Sequence, residues 1–246
     1  MYIVILTALG VGGATVIGAL IGFLFKDVSR RFSDIILSFA AGIMLCASVV
    51  SLILPSLENG GKYGIITTLV GILLGVLSLH ALDILVSRLC KRGGEYEGEE
   101  KKRRSVLLFV LAIAIHNMPE GIAAGVGFGT GSISDALLIA GAIALQNLPE
   151  GMVIVNPMLS VGIRPGRAFF LATLTGLVEV FGAFLGYFAI SVFSALLPFS
   201  LAFAGGTMLY IIIDEIIPTT RIYGRSATYS LIFGFMLMLL LSSVMG

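Results

Sequence analysis

A chain of 246 residues with 58% hydrophobic and 12% charged positions, 31 glycines and a mean hydropathy of +1.08 carries about half the charged fraction of a soluble globular domain. That composition sets aside a water-soluble enzyme, a nucleic-acid binder and a disordered chain, and points to an integral membrane protein. Two cysteines, Cys46 and Cys90, are too few for a disulfide framework.

Stretches apolar and long enough to cross a hydrocarbon core of about 30 Å as helices can be cut out at the charged and turn-forming breaks. Eight result: 2–25, 34–56, 63–88, 105–127, 132–155, 168–195, 199–220 and 226–245. The expected fold is therefore all-α, one transmembrane domain over 1–246. A polar loop of mixed charge over 89–104 joins the third span to the fourth and reads as a solvated linker. Every Lys and Arg except Lys62 falls in a loop that joins an odd-numbered span to the next even one. Basic residues stay on the cytoplasmic side, so these loops are expected inside the cell and both termini outside.

Two segments occur twice. AIAIHNMPEG at 112–121 returns as AIALQNLPEG at 142–151, and FAAGIML at 39–45 returns as FAGGTML at 203–209, with Pro55 and Pro218 following the second pair. In the topology above, the members of each pair run in opposite directions through the bilayer. Inverted repeats of this kind are a recurring design of secondary transporters, whose sites lie near the midplane where the repeats meet.

The acidic residues divide into a loop set and a set inside the spans: Asp83, Glu120, Glu150, Glu179, Asp214 and Glu215. An ionised carboxylate in hydrocarbon costs at least about 2.5 kcal/mol, and no Lys or Arg lies deep in a span to offset it. A bound cation answers that cost best. His116 and Glu120 are four apart on one helical face, and Pro119 cannot donate to the carbonyl of Ile115, which opens the helix at that level. Gln146, Glu150 and Pro149 repeat the arrangement, freeing the carbonyl of Leu145. Imidazole beside carboxylate suits first-row divalent ions such as zinc, iron, manganese or cobalt better than calcium or magnesium. Two facing carboxylates have room for a binuclear site. Glu179, with Gly182 and Gly186 near its face, is the natural third carboxylate, and Met44 is placed to add a thioether. His80 and Asp83, with Asp214 and Glu215, form a second cluster towards the cytoplasmic end that reads as an exit station, and Glu58 stands at the outer mouth. The glycine pairs Gly18/Gly22 and Gly71/Gly75 permit close helix contacts within one chain as readily as between two copies, so a homodimer stays open.

With HNMPEG at 116–121, QNLPEG at 146–151, eight spans and a charged loop after the third, the sequence resembles the Zrt/Irt-like (ZIP) family of divalent metal transporters over essentially its whole length, and most of all its bacterial GufA-type branch. The resemblance implies a three-plus-two-plus-three helix order whose middle pair carries the metal. It implies ligands at His116, Asn117, Glu120, Gln146, Asn147 and Glu150, with Glu179 and Met44 beside them. It also implies uptake across the inner membrane by an elevator-like or rocking cycle, with zinc the leading substrate and iron, manganese, cobalt and cadmium as further candidates. No organic cofactor is implied, and the partners are the lipid bilayer and the ion, not nucleic acid. Position 147 is Asn where some relatives with this motif have Asp, which removes a charge from the second metal position. Two rival readings use the same residues. A passive metal channel shares all of them. An intramembrane metal-dependent hydrolase is disfavoured because no HExxH helix is present and the polar groups run on from Glu58 to Glu215.

Overall fold

The computed structural model describes residues 1–24, 29–91, 98–220 and 225–245. Among the described residues there is no strand, and eight helices are long and apolar enough to cross a bilayer. They are α1 (Tyr2–Leu24), α2 (Arg30–Cys46, a π turn over Ala47–Ile53, then Leu54–Asn59) and α3 (Gly64–Lys91). The middle pair is α4 (Gly98–Val126) and α5 (Ile133–Ser160). The last three are α6 (Pro165–Val192), α7 (Leu197–Tyr210, a π turn over Ile211–Ile216, then Ile217–Thr220) and α8 (Arg225–Met245).

Helices enter the segment expected as a loop at 89–104 from both sides, α3 reaching Lys91 and α4 starting at Gly98. The start of α4 suits a helix: Glu99 and Glu100 sit at the positive end of its dipole, and Glu99 accepts an ion pair from Lys102 at 2.9 Å, one turn on. The rest of that loop, 92–97, lies outside the described residues.

The two π turns occupy equivalent places. Each follows one copy of the FAxGxML repeat and runs towards a proline, Pro55 or Pro218. Proline has no N–H for the turn behind it, and a widened turn is a common way to accommodate such a break. In α7 the widened turn contains Asp214 and Glu215.

The closest helix pairings are α4 with α6, α1 with α5, α3 with α7 and α2 with α8. Exchanging α4 with α5, α6 with α1, α2 with α7 and α8 with α3 maps each pairing onto another, as an inverted repeat requires. Chain order gives three helices, a pair and three more, but space divides them four and four. One group is α1, α4, α5 and α6; the other is α2, α3, α7 and α8. Within each group glycines set backbone against backbone. A Cβ at Gly121 would overlap the Glu179 carbonyl, one at Gly151 the Thr15 carbonyl, one at Gly75 the Phe203 carbonyl and one at Gly234 the Phe39 carbonyl. Gly18 and Gly22 face α5, and Gly71 and Gly75 face α7, so both pairs make contacts within the chain. Among the described residues, no glycine brings the backbone of one group against that of the other.

Candidate functional site

The site lies on the seam between the two groups. Pro119 and Pro149 stand inside α4 and α5, and at that level His116, Asn117, Glu120, Gln146, Asn147 and Glu179 are each no more than 5% exposed. Glu150 is half-buried. It lines a cavity of about 90 Å³ with His116 and Glu120 from α4, Val153 from α5, and Glu215 and Thr219 from α7. Leu37 of α2 and Phe109 of α4 extend the lining towards the end of the bundle where those two helices begin. Those ends adjoin the Lys- and Arg-bearing loops. On the other side of Glu120 and Glu150, an apolar cluster joins Met44 and Leu52 of α2, Ala123 of α4, Ile143 of α5 and Met208 of α7. The cavity is thus bounded on that side by packed side chains.

The donor set is unusual for a helical core. Gln146 lies beside Glu120, yet among the described residues both carboxylate oxygens of Glu120, both amide atoms of Gln146 and the Oδ1 atoms of Asn117 and Asn147 are buried without a well-formed hydrogen bond. Buried polar atoms are nearly always partnered, and leaving them bare costs about 1–3 kcal/mol each. Glu120 lies near enough to Glu150 and Glu179 for their charges to interact, and Glu150 near enough to His116 and Glu215. Among the described residues Lys and Arg stand only at or near helix ends. Several carboxylates, an imidazole and amide oxygens without a Lys or Arg beside them suit a cation chemically, and imidazole is a better ligand for a borderline transition metal than for calcium or magnesium.

Glu179 is placed differently. Its Oε1 accepts from the Thr15 hydroxyl at 2.8 Å and from the Asn117 amide, and its Oε2 accepts from the Asn147 amide at 2.5 Å. Met44 is fully buried in the apolar cluster. His80, Asp83 and Asp214 come together around a residue that sequence reasoning missed, and Glu215 joins them through Asp83. The Tyr210 hydroxyl lies 3.3 Å from His80 Nδ1 and beside Asp83 and Asp214. This second cluster is continuous with the first. His116 Nε2 stands 2.7 Å from Glu215 Oε1, and the ligand atoms of Asp83, His116 and Glu215 all lie within 4.8 Å of one another. Glu58 is exposed on the last stretch of α2, beyond the apolar cluster. Thr15 was missed as well, since a single hydroxyl in a glycine- and alanine-rich span carries no motif; Tyr210 directly follows the second FAxGxML copy, which was the signal available.

Residues 86–242 match the family described as ZIP zinc transporter. The zinc transporter GufA of Myxococcus xanthus is 38% identical, covering 96% of this chain and 96% of its own. The chain belongs to the ZIP family. Zinc transporter ZIPB of Bordetella bronchiseptica is also 38% identical to this ZIP protein, over 95% of this chain and 78% of that one. The human zinc transporter ZIP11 is 31% identical over 95% of this chain and 94% of its own. The resemblance carried by HNMPEG and QNLPEG is therefore a true family relationship.

Proposed function

We propose that this ZIP-family protein carries divalent transition-metal ions, zinc foremost, across a cell membrane into the cytoplasm. Iron, manganese, cobalt and cadmium are the candidates to compare with zinc. The observation that carries the reading is the bare, buried carboxylate of Glu120, set beside His116, Gln146 and Glu150 on the seam between two helix groups. Glu120 and Glu150 hold the ion, His116 and Gln146 shape selectivity, and Asp83, Asp214 and Glu215 receive it on the way out. The positive-inside tendency of the Lys- and Arg-rich loops supports a cavity facing the cytoplasm and both termini outside. The relatives are named as transporters, which agrees with this reading and sets the hydrolase aside.

A carrier suits the fold better than a channel. Glycines set backbone against backbone within each four-helix group, whereas among the described residues none does so between the groups. Sliding or rocking of one group against the other moves the α4–α5 ligands past the apolar cluster and exposes them to alternate sides.

The test is metal uptake into proteoliposomes with Glu120→Ala and Glu150→Ala as comparisons. Saturable zinc uptake by the unaltered protein, lost in both variants while both still insert, is the expected result. Full uptake in both variants would overturn the assignment of these carboxylates.

A further inference from the structure

We propose that Glu179 acts in this chain as a hydrogen-bond anchor for Asn117 and Asn147, completed by the hydroxyl of Thr15, and that the site so arranged holds one ion rather than two. The proposal rests on the reading of Glu120 and Glu150 as the transport ligands and deepens it.

The argument begins with the two amides. Asn117 Nδ2 donates to Glu179 Oε1 and, at 3.3 Å, to the backbone carbonyl of Thr175. Asn147 Nδ2 donates to Glu179 Oε2 and, at 3.2 Å, to the backbone carbonyl of Val11. Carboxylate and carbonyl oxygens only accept, so each amide must turn its nitrogen to this side and its oxygen away. All four amide hydrogens are thereby engaged. The two Oδ1 atoms are left bare, three residues before Glu120 and Glu150 on their own helices. The carboxylate thus determines which atom of each asparagine is offered to an ion.

The same contacts keep a cation away from Glu179. Amide hydrogens cover both of its oxygens, and the Thr15 hydroxyl donates to Oε1 as well. To ligate a metal, Glu179 would have to shed amide donors whose other acceptors, among the described residues, are two backbone carbonyls already bonded. An aspartate at 147 would reverse this, because two facing carboxylates repel unless a cation lies between them. Asparagine supplies a donor instead, and no second ion is needed to hold the pair together.

Thr15 owes its place to the inverted repeat. Glycine 151 follows the Pro-Glu of α5 and admits the Thr15 backbone of α1, as Gly121 follows the Pro-Glu of α4 and admits the Glu179 backbone of α6. Thr15 and Glu179 are therefore matching positions of the two halves, one a donor and the other an acceptor. Both are essentially fully buried.

The experiment is zinc stoichiometry of the full chain in lipid nanodiscs, by equilibrium dialysis and metal analysis, for the unaltered protein, Glu120→Ala and Asn147→Asp. Subtracting the Glu120→Ala value removes ions held elsewhere, the Asp83–His116–Glu215 cluster included. One Glu120-dependent ion in the unaltered protein and two in Asn147→Asp are expected. Two in the unaltered protein would overturn the anchor role and leave the transport site standing. No Glu120-dependent ion at all would overturn the transport-site reading, and this inference with it. Thr15→Val and Thr15→Ser separate hydrogen bonding from packing. Loss of a hydrogen bond to a charged group predicts about tenfold weaker zinc binding for Val and near-normal binding for Ser, since Val keeps the shape and Ser keeps the hydroxyl. The reverse order, or no effect of Val, would overturn the part assigned to Thr15.

Discussion

His116 Nε2 lies 2.7 Å from Glu215 Oε1, and this contact crosses from one four-helix group to the other. It is short, but it is off the line along which a ring N–H would donate. Both side chains instead converge with Asp83 on one small volume. His116 also sits four residues from Glu120 on the same face of α4, so one imidazole belongs to the buried site and to the Asp83–Glu215 cluster at once. On the proposed path, an ion leaving Glu120 and Glu150 would find its next ligands already in reach and would change helix group as it moved.

Replacing Glu215 should therefore separate binding from release. For Glu215→Gln the expected outcome is zinc binding at the Glu120-dependent site that is little altered, with uptake slowed roughly tenfold, the size of effect that follows from losing one charged contact. Stoichiometry in nanodiscs and initial uptake rates in proteoliposomes check the two halves of this statement. Uptake at the normal rate would remove Glu215 from the path.

The motif glycines give a second prediction, about stability. Gly121 and Gly151 each face a backbone carbonyl that a Cβ would overlap, whereas Gly141, on the same helix as Gly151, has open space around it. Gly121→Ala and Gly151→Ala should each lower stability by about 1–3 kcal/mol, the usual cost of overpacking a tight contact. Gly141→Ala should cost little. Thermal unfolding in one detergent reports all three, and equal midpoints would contradict the tight seams. Because the carbonyls displaced are those of Glu179 and Thr15, zinc affinity should fall along with stability.

The spans and the polar motifs were legible in the sequence for a physical reason: a bilayer demands about twenty apolar residues per helix, and a carboxylate placed among them stands out. Which helix packs on which was not legible. In a bilayer every face of a helix is apolar, so periodicity does not name a neighbour as it does in water. Gly18, Gly22, Gly71 and Gly75 announced close contacts without saying that the partners are α5 and α7. For that reason the three-two-three order gave no sign of the four-and-four division. The π turns were hidden too, although Pro55 and Pro218 marked their ends. Hydrogen bonds such as Thr15 to Glu179 span 164 residues and leave no local pattern.

Met44 supplies the last prediction, because the sequence placed it beside the metal and the structure places it in the apolar cluster that bounds the cavity. Its side chain is fully buried there with Leu52, Ala123, Ile143 and Met208. A thioether ligand and a packing residue respond differently to leucine, which keeps the volume and removes the sulfur. If Met44 packs, Met44→Leu should change stability by less than about 1.5 kcal/mol and leave the ratio of cadmium to zinc uptake unaltered. If sulfur touches the ion at any stage of the cycle, the soft cadmium ion should lose more than zinc, and the ratio should drop. Met44→Ala should by contrast leave a cavity costing about 2–5 kcal/mol. Competitive uptake of the two ions by the leucine variant decides between packing and ligation, and a drop in the ratio would put Met44 on the transport path.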